Sequence, residues 1–322
     1  MRPGYGVSEQ VIATELQDEL ASGHLRKTRS ADARQPDVRP APGARPSPTD
    51  NPDRLRRARR RMPKLRRCGS SGSYDGRVPE TLPPGVDLFD VERLQLTEAA
   101  APCLSPSHEA ARDRVWEKAV QANPALFDGP AVACAELQHR DLRVLSVSWV
   151  RVTYRHYALR RVPGATALPS LFVNVVQPTD DGRLLVARMS SSTAAPGRWQ
   201  LPGGSVEPPP DGERLEERGL AGQAARELAE ELGLDAGAEA LRLWAVTRGE
   251  NGSVGLTYLA PALPEPAVRA AFAVATAAER AQDREPELEA ITLVSSPQDL
   301  AGLAGPHADY LEPIVRRFTD GR

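Results

Sequence analysis

Arg226, Glu227, Glu230 and Glu231 stand within one nine-residue stretch, RELAEELGL, that ends at Leu234. Carboxylates at i, i+3 and i+4 share a narrow face of a helix, because each residue turns the chain by about 100°. Leu228, Ala229, Leu232 and the preceding Ala225 fall on the other side, so one side is core and the other a dense negative stripe. Like charges at this spacing repel by roughly a few tenths of a kcal/mol per pair. Arg226 reaches Glu230 at i+4, but one guanidinium does not balance three carboxylates. A hard divalent cation does: Mg²⁺ takes oxygen ligands and commonly bridges carboxylates to a substrate phosphate. The plain alternative is an Ala/Glu-rich helix facing solvent. The residues before it favour the ion. In RWQLPGGSVE, Gly203 and Gly204 end a strand and let backbone carbonyls approach a ligand closely.

Such a stripe needs a scaffold, and the flanking pattern supplies one. SLFVNVV reads as a buried strand, TDDG as a turn and RLLVARM as a second strand, together a hairpin. A loop, SSSTAAPG, leads to RWQLPGG. A second loop, SVEPPPDGERLEERG, leads to a helix that begins near Leu220 and stops at Gly233, a C-terminal glycine cap. EALRLWAVTRG and VGLTYLAPAL form a further strand pair around ENGS. PAVRAAFAVATAAERAQD reads as a helix, LEAITLVS as a strand, and PQDLAGLAG and DYLEPIVRRF as closing helices. Strands and helices mix without βαβ regularity. The expected class is therefore α+β, or an αβα sandwich around a mixed sheet, over residues 166–322.

Upstream, residues 105–165 read as a small α/β subdomain. Ser105 or Ser107 caps a helix with Pro106 at a first-turn position, Ala111, Val115, Ala119 and Ala122 keep helical spacing, and Pro124 stops it. AVACAEL and LRVLSVSWVRVTYRHY follow as strands. His139 and His156 lie here and receive no role. Residues 76–104 are a Pro-rich connector, with GVDLFDVERLQL as a strand or docking arm within it.

Residues 1–75 read as a disordered tail too poor in apolar residues to offset chain entropy. They carry 16 basic and 9 acidic residues, whereas the rest carries 25 and 34, which hides behind a net charge of −2. The run Arg54–Arg67 is the one basic patch. It offers an electrostatic tether to RNA, DNA or an anionic surface, but without interleaved aromatics it reads rather as a solvated tail, with Met62 as a candidate later start, and nucleic acid is not the expected partner. Three widely spaced cysteines, Cys68, Cys103 and Cys134, fit a reduced, cytoplasmic protein. No apolar run approaches the ~20 residues of a membrane span, and the start lacks a signal-like apolar segment. Oligomeric state is not legible.

LPGGSVE…GE…AARELAEELGL resembles the Nudix box of the Nudix hydrolases. Arg226, Glu227, Leu228, Glu230, Glu231, Gly233 and Leu234 match the family's terminal block without exception. The spacing departs from the family's. Eight residues separate Gly204 from Glu213, where the family has five, and twelve separate Glu213 from Arg226, where it has seven. No role is therefore carried over to Glu213. The segment around WEKAVQANPALFDG is similar, more weakly, to the N-terminal part of UDP-glucose-type Nudix hydrolases.

The resemblance implies an αβα sandwich and a pyrophosphohydrolase. Glu227, Glu230, Glu231 and the Gly204 carbonyl would hold Mg²⁺, or Mn²⁺, and Arg226 would orient a glutamate of the box. The general base would come from the box or from a loop, where Glu250 is the candidate against the plainer reading of an exposed hairpin glutamate. Arg188 is a candidate for the phosphates, or simply ends a strand. Trp199, Trp244 and Tyr258 are candidates to stack on a base or sugar, with core packing equally open. The implied substrate is a nucleoside diphosphate linked to another moiety, a nucleotide sugar for preference. ADP-ribose, a dinucleotide or a nucleoside triphosphate is the alternative, as is a non-catalytic sensor.

Overall fold

The computed structural model describes residues 85–124, 126–141, 143–249 and 251–321, with only the backbone at Asp141. The expectations for residues 1–75, including Arg54–Arg67, and for Glu250 lie outside the described residues.

The elements in chain order are β1 (Asp87–Phe89), β2 (Arg93–Glu98), α1 (Pro106–Ala122), β3 (Pro130–Asp141), β4 (Val144–Thr153), a 3₁₀ turn (Tyr154–Arg161), β5 (Leu171–Val176), β6 (Leu184–Met189), β7 (Trp199–Gln200), β8 (Gly203–Ser205), α2 (Glu217–Leu232), a short 3₁₀ turn (Ala238–Ala240), β9 (Arg242–Arg248), β10 (Val254–Leu259), α3 (Glu265–Arg280), β11 (Leu288–Val294), α4 (Pro297–Ala301) and α5 (Leu311–Asp320). Three sheets result: β1-β9-β10-β5-β8, β11-β6-β7 and β2-β4-β3. β10 runs parallel to β5 and antiparallel to β9, so the central sheet is mixed, as expected.

β5 explains the layering. Every residue of LFVNVV is buried, as in a strand covered on both faces. Leu171, Val173 and Val175 face Ala224, Leu228 and Leu232 of α2 and Val268 of α3. Phe172 and Val176 face Tyr310, Ile314 and Val315 beside α5. Helices therefore sandwich the sheet. Both edges of β5 are taken, by β10 and β8. That overturns the expected β5–β6 hairpin. The turn forms, with the Gly182 N–H donating to the Thr179 carbonyl at 2.8 Å. Beyond it a single bridge, Pro178 to Leu184, marks the chain changing sheets, and β6 pairs instead with β11 and β7.

Part of the expected connector is ordered architecture. β1 extends the central sheet through β9, and β2 lies parallel to β4. Of the two cap candidates of α1 it is Ser105 that serves, its Oγ accepting from the His108 N–H at 3.2 Å. It packs Trp116 and Ala119 against Tyr157 and Ala158. Among the described residues no helix is long and apolar enough to cross a membrane.

His156 should make the fold sensitive to acid. It is 8% exposed, and its Nε2 accepts from the Leu168 N–H at 2.9 Å. Burial first, then the charges of Arg160 and Arg112, push its pKa from the ordinary 6.5 down to about 4. The unfolded imidazole takes a proton near pH 6.5 and the folded one only near pH 4. The stabilisation is therefore complete above that upper value and lost as pH falls toward the lower one, on the order of 3 kcal/mol in all. His156→Gln keeps an acceptor for Leu168 and removes the titration. Urea unfolding at pH 7.5 and 4.5 should show a smaller acid loss in the variant than in wild type. Equal losses would refute the assignment.

Candidate functional site

α2 presents the acidic stripe, and it forms because its other face is core: Leu220, Ala224, Leu228 and Leu232 are fully buried. Each leucine contributes roughly 1.5–3 kcal/mol to holding the helix on the sheet. The helix starts at Glu217, three residues before the predicted Leu220. It ends where predicted. Gly233 is left-handed at φ 69°, and its N–H donates to the Ala229 carbonyl at 2.9 Å. A Cβ there would also fall 2.8 Å from the Ala271 carbonyl oxygen of α3, so the stop doubles as a close helix–helix approach.

β8 is the edge strand that meets this helix. Glu227, 1% exposed, lies directly against Gly204: a Cβ on that glycine would sit 2.5 Å from Glu227 Oε1. Glu231, 7% exposed, accepts the Gly203 N–H on Oε2 at 2.8 Å. The two glycines and the two buried carboxylates thus form one pocket-like junction. A Cβ at Gly203 would meet backbone of β5, whereas at Gly204 it would meet only the end of the Glu227 side chain, and both carboxylates are buried.

Glu230 departs from the expectation that the three acids act as one cluster. It lies about 100° around the helix from Glu231. Its side chain is 50% exposed and 4.0 Å from Arg226. Among the described residues, no group of three or more His, Cys, Asp or Glu side chains is gathered as a metal site needs. Arg226 does turn to glutamates of the box. It donates to Glu207 Oε2 at 3.0 Å and reaches Glu230. Glu207 is itself clamped through its backbone: its N–H donates to Gln223 Oε1 at 2.9 Å, and Gln223 Nε2 donates to its carbonyl at 3.0 Å. From α3, Glu279 adds negative charge to the same side. Burial raises its carboxyl pKa, Arg284 opposes that, and the charge of Glu230 adds to it.

The remaining candidates stand elsewhere. Trp199 is core, 8% exposed, with its Nε1 donating to the Ala304 carbonyl at 3.1 Å. Arg188 lies above it, 6.0 Å from the ring centroid. Its guanidinium pairs with Glu289 at 3.0 Å and donates to the Gly197 carbonyl at 3.2 Å. Trp244 belongs to β9, separated from β8 by β10 and β5, and its ring lies under Arg317 at 4.8 Å. Tyr258 is buried in the core on the α2 side, where burial pushes its phenol pKa well up. None of the three aromatics is brought to the glycine–carboxylate junction, because each fills apolar volume between layers. The Cys134 thiol is pushed up to about 12 by burial, which makes it a poor nucleophile.

Glu207 and Gln223 went without a role in the sequence. The signal for Gln223 was available: residues 223, 226 and 230 recur at i, i+3 and i+7, one stripe of α2. The N-terminal strands were legible, but nothing in the sequence pointed to their contact with the box. The Val132 N–H donates to the Val206 carbonyl at 2.9 Å, and the Leu94 N–H to Glu217 Oε2 at 3.2 Å.

Residues 170–318 match the NUDIX domain. Among solved structures, the chain is similar to the MutT protein of Methanosarcina mazei Go1, at 19% identity over 48% of this chain and 95% of that one, with a TM-score of 0.32. It is also similar to NrtR of Shewanella oneidensis, at 19% over 48% and 63%, TM-score 0.29. A NUDIX hydrolase from Nitrosomonas europaea shows 15% over 48% and 89%, TM-score 0.28. No curated protein matches the chain. RELAEELGL on a buried-faced helix and a diglycine edge strand against its carboxylates both lie within residues 170–318, and that part of the chain is a Nudix domain.

Proposed function

We propose that the chain is a Mg²⁺-dependent pyrophosphohydrolase that cleaves a nucleoside diphosphate linked to another moiety into a nucleoside monophosphate and a phosphorylated product. The observation that carries the reading is the junction of Glu227 and Glu231 with Gly204 and Gly203. A buried carboxylate is costly, and two held against glycines are best explained by a role in binding.

The donor set suits a hard divalent ion. Carboxylate oxygens stand beside a strand end where glycine alone leaves space, since any Cβ at Gly204 would occupy it. Glu227, Glu231, Glu230 and the Gly204 carbonyl would hold Mg²⁺, with Mn²⁺ as a substitute. Bound there, the ion supplies charge neutralisation of the phosphates and a lowered pKa for water. The chain supplies the rest. Glu231 fixes the bend of β8 through the Gly203 N–H. Arg226 holds Glu207 and draws Glu230 toward the same side. Glu230, half exposed on the stripe, would act as the base on water, and Glu250 is the loop alternative. A nucleotide sugar is the preferred substrate class, on the weaker N-terminal similarity.

The test is a panel of nucleotide sugars, ADP-ribose, dinucleotides and nucleoside triphosphates with Mg²⁺, run on wild type and Glu230→Gln. Wild type should release a monophosphate from at least one compound and the variant far less. Equal release by both proteins would sink the mechanism. Tight binding with no turnover by wild type would favour a sensor.

A further inference from the structure

The lengthened loop between Gly204 and α2 is held from outside the Nudix domain. Arg151 of β4 donates through Nη1 to the Pro209 carbonyl at 2.6 Å and through Nη2 to the Pro210 carbonyl at 3.5 Å. Its Nε donates to Glu98 of β2 at 2.9 Å, and Asp211 lies 3.7 Å away. Its guanidinium sits 5.7 Å from the Trp149 ring centroid. Aromatic contact and the carboxylate of Glu98 fix the plane of the guanidinium before it meets the loop. Two residues before Pro209 is Glu207, which receives Arg226, which in turn reaches Glu230. A continuous line of contacts therefore joins the N-terminal sheet to the acidic stripe.

We propose that Arg151 is a positioning residue of the Nudix site: by clasping the carbonyls of Pro209 and Pro210 it sets Glu207 against Arg226 and so holds the carboxylate stripe in register with the diglycine strand. This rests on the reading of the site as a divalent-metal hydrolase. The chemistry explains the need. Adding residues between a strand end and a helix loosens the relation of the two. Three consecutive prolines limit the loop's own freedom, and Arg151 fixes where the stiffened loop lies. Val132 and Leu94 secure its two ends, at Val206 and Glu217.

The experiment is a double-mutant cycle on the full chain with Arg151→Ala, Glu207→Gln and the pair. The first readout is Mn²⁺ binding by electron paramagnetic resonance, and the second is kcat and KM on the best compound of the panel. Groups supporting the ligands of a metal typically change affinity or activity by about 10–100-fold when removed. Each single variant should weaken Mn²⁺ binding and lower kcat about tenfold with KM little changed, and the double variant should be no worse than either single. Arg151→Lys, which keeps one donor, should recover part of the loss. Mn²⁺ binding by Arg151→Ala at the wild-type level, or losses that multiply to about 100-fold in the double variant, would overturn the proposal. Should Arg151→Ala fail to fold, Arg151→Met, which keeps the stem and loses every donor, takes its place in the cycle with the same criterion. A wild type that binds Mn²⁺ but cleaves nothing in the panel would remove the hydrolase reading and leave the cycle to be decided on binding. A wild type that does neither removes both.

Discussion

Glu231→Gln is expected to lower kcat by about 10²–10³-fold while leaving the melting temperature unchanged or higher. The size follows from losing one preorganised charged group aimed at the reacting centre, worth roughly 3–4 kcal/mol. The direction of the stability change follows from burial. Glu231 is 7% exposed and holds the Gly203 N–H at 2.8 Å. Glutamine has the same shape and can keep an oxygen on that N–H, while the desolvation cost of a buried carboxylate disappears. A stabilised and inactive variant would mean that the carboxylate is kept for function at the expense of the fold. Calorimetry beside initial rates decides it. Full activity removes Glu231 from the mechanism. An inactive variant that is also several degrees less stable makes it a structural acid.

The uneven legibility of this site has physical causes. Periodicity carried α2, because a helix with one apolar face must bury it, and the Gly233 stop was readable since only glycine enters that left-handed turn at no cost. The buried run of β5 was equally plain, but the same run misled about its partner. A strand apolar on both faces belongs in the middle of a sheet, and sequence adjacency to RLLVARM suggested a hairpin that β10 and β8 displace. Helical spacing also placed Glu227, Glu230 and Glu231 on one face without saying which of them the edge strand would cover. Covering Glu227 and Glu231 left Glu230 to the solvent side and Arg226. The clasp of Arg151 on the proline loop joins residues 58 positions apart in the chain. Short-range pattern has no access to such a contact, since neither end carries a periodic signal.

The adjacent glycines should behave in opposite ways when each gains a methyl group. At Gly203 the backbone has φ 154°, which L side chains rarely adopt, and the new Cβ would collide with the Val173 carbonyl oxygen and lie 2.7 Å from the Asn174 Cα. Neither atom can move without breaking the β5–β8 pairing. Gly203→Ala should therefore lose several kcal/mol, on the order of 3–5, or fail to accumulate as folded protein. At Gly204 the obstacle is the Glu227 carboxylate, at 2.5 Å for Oε1 and 2.9 Å for Oε2. A side-chain end can swing away, so Gly204→Ala should fold with a loss of only about 1 kcal/mol. The displaced carboxylate then no longer lies where the strand end presents its carbonyl, and a misplacement on the order of 1 Å costs about 10²-fold in rate. Urea unfolding and initial rates on both variants separate the two effects. If Gly204→Ala keeps wild-type activity, Glu227 has no role in the reaction and the junction is only packing. If Gly203→Ala folds as well as wild type, the tight seating of β8 against β5 is not what fixes the strand end beneath the two carboxylates.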